Sequence, residues 1–235
     1  MQPTIEIEKY LLKNKRQIEM AITHLTSFHG RSVTKGTKLN DVSLDNIFSK
    51  LILPLQISIL EIEFNRIVNR NSTKILKPAI DSNLFQKKTL TEKWTILLKF
   101  LYTEKYLKPN GKFLTSVSIG DTAFHRYQTV NDLITKDLNA FVELRNRLSH
   151  GQWDIAFNHD ILIKNQDLTT AVWTLTKKEI MIIKAFVSNL PILIALLTQS
   201  QNAFEKDYDK YVGKIQRAIQ DADFKYAVFQ KRKLK

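Results

Sequence analysis

Residues 141–153 read Phe-Val-Glu-Leu-Arg-Asn-Arg-Leu-Ser-His-Gly-Gln-Trp, and this stretch decides how the rest of the chain is interpreted. Arg145, Asn146 and His150 fall near the end of a helix that apolar spacing predicts over residues 123–150. Gly151 follows directly, and glycine readily takes the left-handed conformation in which many helices end. We therefore expect the three polar side chains at the C-terminal end of a long helix.

Arg145 and His150 are residue types that suit RNA cleavage without a metal ion. The reaction removes a proton from a ribose 2′-hydroxyl, returns one to the leaving 5′-oxygen and builds negative charge around phosphorus. Histidine titrates near neutral pH and suits either proton transfer, whereas arginine stays charged and presents a planar fork to phosphate oxygens. Asn146 can hydrogen-bond a phosphate or orient its neighbour. The stretch predicts Arg145 as phosphate ligand, His150 as proton-transfer residue, and a 2′,3′-cyclic phosphate product.

The five-residue spacing places His150 about 140° round an ideal helix from Arg145, so the two do not share a face of a straight helix. A last turn that deviates before Gly151, together with the long arginine stem, would reduce this separation. An ordinary helix end is the alternative interpretation. In that case Arg147 and His150 only complement the negative end of the helix dipole.

The pattern Arg145-Asn146-x-x-x-His150-Gly151 resembles the active-site motif of the HEPN superfamily, a group of all-helical proteins rich in metal-independent ribonucleases. The resemblance implies an all-α fold, an antiparallel helical bundle of HEPN type, with Arg145, His150 and Asn146 as its site. It also implies a homodimer in which two motifs face each other. HEPN families often add an acid from an earlier helix, and no position in this sequence identifies it.

The resemblance further implies an endoribonuclease acting on RNA, with a role as a toxin or phage-defence effector and an antitoxin or regulatory partner. Two alternatives stay open. One is a catalytically silent HEPN-like module that binds RNA, a nucleotide or a protein partner. The other is an unrelated helical scaffold that carries the pattern by chance.

Composition sets the class of the protein. The 235 residues are 43% hydrophobic and 25% charged, which is ordinary for a globular protein. Only six Gly and five Pro argue against an all-β sandwich, and the lack of Cys excludes disulfides, thiol nucleophiles and cysteine-ligated metals. The absence of Cys also fits a reducing cytoplasm. Dinucleotide, nucleophile-elbow and His-Glu-x-x-His motifs are missing as well, so we expect no cofactor and no bound metal.

The net charge of +13 indicates a polyanionic partner, and nucleic acid is the commonest. A lysine-rich protein surface encoded by an AT-biased genome would give the same net charge. The charge therefore supports RNA as the partner only together with the motif. The N-terminus lacks the pattern of a signal peptide. The most apolar run, residues 185–197, is too short for a membrane span and is expected to be a buried helix.

Periodicity and capping signals predict one domain over residues 1–235, with helical elaborations at both ends. Thr89 to Glu92 and Thr176 to Glu179 are capping-box patterns. In residues 152–170, two short apolar runs, 155–157 and 161–163, flank Asn158-His159-Asp160. This pattern suggests a short β-hairpin with His159 in its turn. Trp153 is expected to anchor packing, with base stacking as the less favoured interpretation. The remaining predictions are helices over residues 5–28, 43–69, 89–107 and 176–220, and a loop over residues 30–41.

Apolar spacing also predicts which positions of three helices face the core. In the helix over 43–69 they are Ile47, Leu51, Leu55, Ile59, Ile62 and Ile67. In the helix over 89–107 they are Trp94, Leu97, Leu98, Leu101 and Tyr102. In the motif helix they include Phe141 and Leu148. Pro54 is expected to kink or break its helix, and Pro191 to kink its helix.

Overall fold

The computed structural model describes residues 3–34, 41–72, 74–107, 114–157 and 163–233. Over these residues the fold is all-α, as the sequence predicts. The β pairing in the described part is an isolated antiparallel bridge between Phe157 and Lys164. The turn proposed for the hairpin, residues 158–160, lies outside the described residues, so the hairpin stays a prediction.

The helices follow one another along the chain with short connections. Their bounds are α1 Pro3–Thr34, α2 Asp41–Arg70, α3 Lys77–Asp81, α4 Leu90–Tyr106, α5 Ser116–Ile119, α6 Asp121–Asp132, a π-helical segment Leu133–Leu138, α7 Asn139–Ser149, α8 Gln166–Thr174, α9 Lys177–Gln199 and α10 Gln201–Lys233.

Two compact units account for the fold, and the long helices contribute residues to both. The first unit comprises Met1–Leu11, Glu61–Ala140 and Ser188–Lys214. The second unit comprises Leu12–Leu60, Phe141–Val187 and Ile215–Lys235, and it holds the motif.

The core of the first unit is built around α4. Its capping box is present, since Thr89 N donates to Glu92 Oε2 at 2.7 Å and Glu92 N donates to Thr89 Oγ1 at 3.2 Å. Trp94 and Tyr102 of this helix are fully buried and meet Phe64 and Phe204 edge-on, with ring centroids 5.5 and 5.6 Å apart. The apolar positions predicted for α4 therefore form a core, as expected: Trp94, Leu97, Leu98, Leu101 and Tyr102.

The second unit packs the N-terminal half of α2 against α8. Asn46 Nδ2 donates to the carbonyl oxygens of Val172, Trp173 and Leu175 at 3.0, 3.1 and 2.8 Å. These carbonyls close α8 and have no partner further along that helix. One amide side chain on α2 thus fixes the end of α8. The sequence did not predict this helix, and its first five residues fall in the region expected to contain a hairpin.

The predicted buried face of α2 is wrong in its first half. Ile47 and Leu51 were expected inside but are exposed, and Leu44, Phe48 and Ile52 are buried in their place. The α2 sequence is apolar on several sides, so periodicity alone does not choose which side faces the core.

Helices continue through both prolines, and the bounds of two predicted helices change. Pro54 lies inside α2 and Pro191 inside α9, so Pro54 does not break its helix, and a kink at either proline stays a prediction. Helix α1 extends through Gly30 to Thr34, which corrects part of the loop predicted over 30–41, while residues 35–40 lie outside the described residues. The long C-terminal helix is divided at Ser200, whose hydroxyl accepts a hydrogen bond from Ala203 N at 3.0 Å and caps α10.

Helix α9 also corrects the expectation about membrane spans. Among the described helices it is long and apolar enough to cross a membrane by length and composition. Half of its most apolar window is buried inside the protein. Phe186, Leu190 and Leu193 are fully buried, which favours a core helix.

A tyrosine cluster in the first unit provides a test of this packing. Tyr102 stacks on Tyr106 with ring centroids 4.8 Å apart, and the Arg126 guanidinium lies 5.0 Å from the centre of the Tyr208 ring. Burial raises the pKa of Tyr102, Tyr106, Tyr127 and Tyr208, since a buried phenolate loses hydration.

We expect this cluster to lose stability at alkaline pH. The folded protein keeps these phenol protons after the unfolded chain has released them, so the contribution is fully present below about pH 10 and declines above it. Tyrosinate absorbance during an alkaline titration should show a group that ionises above the ordinary range, and the same titration in urea should abolish it. Ordinary ionisation of every tyrosine in the folded protein would contradict this packing.

Candidate functional site

The C-terminal end of α7 is closed by a defined hydrogen-bond pattern. Gly151 has φ +77°, Gly151 N donates to Leu148 O at 3.2 Å, and Gln152 N donates to Arg147 O at 3.0 Å. This pair of bonds around a left-handed glycine is the Schellman arrangement. The predicted role of Gly151 is confirmed, and the backbone on either side of His150 is fixed by these contacts.

The three motif residues differ in their surroundings. Arg145 is half-buried with its Nε atom shielded from solvent, Asn146 is half-buried, and His150 is exposed. Arg145 lies three residues from Val142 and from Leu148, and both of these are buried. The stem of Arg145 is therefore held at the edge of the packed side of α7.

Asn146 and His150 lie on one side of the helix end. His150 N donates to Asn146 O at 3.1 Å, which keeps the last turn close to α-helical. Residues four apart are neighbours on a helix surface, whereas Arg145 lies about 100° to 140° away from this pair. The last turn does not unwind enough to remove the separation that the sequence spacing predicts.

A π-helical segment, Leu133–Leu138, precedes α7 and shifts its phase. The sequence predicted an unbroken α-helix with Phe141 facing inward, but Phe141 is half-buried and Val142 and Leu144 are buried. A π turn accommodates an extra residue, so the buried position moves from 141 to 142, whereas Leu148 is buried as expected. This shift sets which side chains of α7 remain accessible.

Lys50 is a residue near the motif that the sequence interpretation missed. Its side chain on α2 is only 8% exposed, and its Nζ donates to the backbone oxygen of Trp153 at 2.8 Å. Burial lowers the pKa of Lys50, and the nearby carboxylate of Asp154 opposes that effect. The sequence signal that could have identified Lys50 is its position as a single lysine inside the apolar run of α2. Lys50 holds the segment that follows His150 against α2.

Trp153 is anchored at the same helix end. Its indole Nε1 donates to Leu148 O at 3.0 Å, so this carbonyl is capped by the side chain as well as by Gly151. Trp153 as a whole residue is 38% exposed. The contacts agree with the anchoring role expected for Trp153 and leave part of its ring accessible.

The rest of the segment after the motif is tied to α8. Ala156 N donates to Thr169 Oγ1 at 3.0 Å, and Trp173 Nε1 donates to Asp154 Oδ1 at 2.9 Å. Trp173 is half-exposed and was not singled out from the sequence, because its helix was not recognised. These contacts bring α8 beside the segment that leaves the motif.

His29 and Asp45 form a histidine–carboxylate pair in the same unit as the motif. Both are buried, with His29 Nε2 3.7 Å from Asp45 Oδ1 and the imidazole stacked on Phe48 at 4.8 Å. Asp45 Oδ2 also accepts from Lys177 N at 3.2 Å, at the start of α9. A carboxylate is favourable at a helix N-terminus, so this pair has a structural role in joining α1, α2 and α9.

Potential metal ligands are scattered over the described part of the chain. No group of three His, Cys, Asp or Glu side chains is placed there to hold a metal ion.

Comparisons of the chain with protein-family models, curated proteins and solved structures find no match.

Replacement of Gly151 by Ala tests the helix closure. At φ +77° a Cβ is disfavoured although it would meet no atom within 4 Å, so Gly151→Ala should lower the free energy of unfolding by about 1 kcal/mol. Gly213→Ala is the matched control, because Gly213 is helical, lacks a positive φ and also has open space around a Cβ. This control should stabilise by about 0.5–1 kcal/mol. If urea unfolding shows the same change in the free energy of unfolding for both variants, the left-handed closure of α7 at Gly151 would be refuted.

Proposed function

We propose that this protein is a metal-independent endoribonuclease of HEPN type, acting through Arg145, Asn146 and His150. The observation that carries the proposal is the closed end of α7, where Gly151 at φ +77° presents an exposed His150 one turn after Asn146. The motif Arg-Asn-x-x-x-His and the all-helical fold support the same function.

The proposed reaction is an internal transfer at phosphorus. A base removes the proton of a ribose 2′-hydroxyl, and the 2′-oxygen bonds to the adjacent phosphorus. The bond from phosphorus to the 5′-oxygen breaks, and an acid protonates that oxygen. The products are a 2′,3′-cyclic phosphate and a free 5′-hydroxyl. His150 performs a proton transfer, and Arg145 neutralises the charge that grows on the phosphate oxygens.

The active form is proposed to be a symmetric homodimer. Within one chain, Arg145 lies about 140° round the helix from His150, so a phosphate near His150 is poorly placed for the Arg145 of the same helix. A two-fold axis at the end of α7 would bring a second motif to the first. Each composite site would then combine His150 of one protomer with Arg145 of the other.

RNA is the proposed partner because the net charge of +13 favours a polyanion and the motif residues suit a phosphodiester. A cytoplasmic role as a toxin or phage-defence effector, held in check by an antitoxin or regulatory protein, follows from the family resemblance.

Cleavage of a labelled RNA pool in EDTA tests the enzymatic proposal. The wild type should leave cyclic-phosphate ends, and His150→Ala and Arg145→Ala should each lower the rate by roughly 100-fold or more, the usual scale of acid–base and phosphate-stabilising groups. Matched controls are His125→Ala, which removes another exposed histidine, and Arg147→Ala, which removes a half-buried arginine two positions away. Both controls should retain cleavage.

Two results would contradict the proposal. Equal cleavage by the wild type and His150→Ala would place the activity elsewhere or in a contaminant. Absence of cleavage together with tight RNA binding would favour the silent binding module instead.

Mixing two inactive variants tests the homodimer. If each site combines Arg145 from one protomer with His150 from the other, unfolding and refolding Arg145→Ala together with His150→Ala should restore about one quarter of the wild-type rate. Half of randomly formed dimers are mixed, and each mixed dimer has one intact site of two. No recovery, despite mixed dimers detected by differently tagged chains, would place both residues of a site in one chain.

A further inference from the structure

Trp173 on α8 exposes about half of a large aromatic side chain in the described part of the structure. The side chain is 51% exposed, and its indole N–H is already satisfied by Asp154 Oδ1 at 2.9 Å. Large aromatic rings are usually well buried, and a fixed, half-exposed ring is typical of a binding surface. The hydrogen bond fixes the ring orientation without covering it.

The surroundings of Trp173 combine apolar and cationic groups. Lys164 Nζ lies 5.5 Å from the centre of the indole ring, within the range of a cation–π contact. Ile155 and Ile163, on the chain segment that leads from the motif to α8, are exposed as well. A cation beside an aromatic ring matches a nucleotide, which presents a flat base and a phosphate together.

We propose that Trp173 and Lys164 form a binding subsite for one unpaired nucleobase of RNA and its phosphate. The base stacks on the indole ring, and Lys164 leaves the ring to contact the phosphate. Exposed cation–π contacts are weak, whereas a base stacked on an aromatic side chain binds more strongly, so the exchange is favourable. The inference rests on the proposed function, because it assigns RNA as the ligand of the motif unit.

Contacts in the chain connect this subsite with the motif. Asp154, which holds the indole, lies four residues after His150. The backbone oxygen of the intervening Trp153 is held by Lys50 at 2.8 Å, and the Trp153 indole is bonded to the end of α7. The segment from His150 to Asp154 is thus fixed at both ends, and a base at Trp173 would be held in a constant relation to His150.

The chemistry favours single-stranded RNA over a duplex or a protein partner. A base must be unstacked before an indole can take it, and A-form duplexes keep their bases stacked. An apolar protein segment would bury Ile155 and Ile163 but would leave no role for Lys164 over the ring. The stacking site would be tolerant of base identity, since every base has a flat face.

Binding measurements with a non-cleaving background test the subsite. The probe is a short fluorescent single-stranded RNA, with its blunt duplex as control, titrated by anisotropy against His150→Ala protein. Adding Trp173→Leu should weaken single-strand binding about 5-fold to 100-fold, the range for loss of one stacked base. Trp173→Phe should stay within about threefold of the background, because it keeps the aromatic face and loses only the bond to Asp154. Duplex binding should be equal in all three proteins.

A second variant keeps the test decisive if Trp173→Leu disturbs folding. Lys164→Gln should reduce the slope of log affinity against log salt by about 1, the effect of one lost phosphate contact, with unchanged circular dichroism. Phe and Leu variants that weaken binding equally would show that the indole acts only through Asp154 and would overturn the subsite.

The outcomes separate this inference from the proposed function. Normal cleavage by the wild type with equal RNA affinity of Trp173→Leu would overturn the subsite alone and assign the exposed indole to another contact, such as a protein. Failure of the wild type to cleave, with Trp173-dependent binding of single strands, would overturn the nuclease and support the subsite. Absence of single-strand binding by every protein would overturn the subsite.

Discussion

The left-handed turn at Gly151 is the constraint on which the candidate site depends. It ends α7 with two backbone hydrogen bonds, and it reverses the chain so that the Trp153 indole can cap the same helix. Because residues before and after the turn are bonded to one helix end, His150 is exposed on a fixed backbone and not on a loose loop. A residue with a Cβ would oppose this conformation.

Buried polar groups extend this order from the helix end to its neighbours. The ammonium group of Lys50 is buried beside α2 and loses hydration, which costs free energy. Its hydrogen bond to the backbone oxygen of Trp153 recovers part of that free energy. Asn46 satisfies the end of α8 in the same way, through three carbonyls. Each contact joins α2 to a segment more than 100 residues away in sequence, so the apolar helix α2 also carries the polar bonds that position the surroundings of the motif.

Local signals in the sequence were sufficient wherever one helix decides its own structure. The capping box at Thr89, the core face of α4 and the role of Gly151 were predicted correctly, since each depends on residues within a turn or two. The interpretation was wrong for the buried face in the first half of α2. That face depends on which neighbours pack against a helix that is apolar on several sides, and periodicity does not report the neighbours.

The sequence by itself determined an all-α fold, the position of the motif at the end of a helix, and the residue types that suit phosphodiester chemistry. It also set the angle of about 140° between Arg145 and His150, because helix geometry is the same everywhere. Only the tertiary structure decided that α8 lies beside the motif, that Lys50 is buried against Trp153, and that Trp173 is held half-exposed by Asp154. The physical reason is that these contacts join residues distant in the chain, where no local pattern specifies a partner.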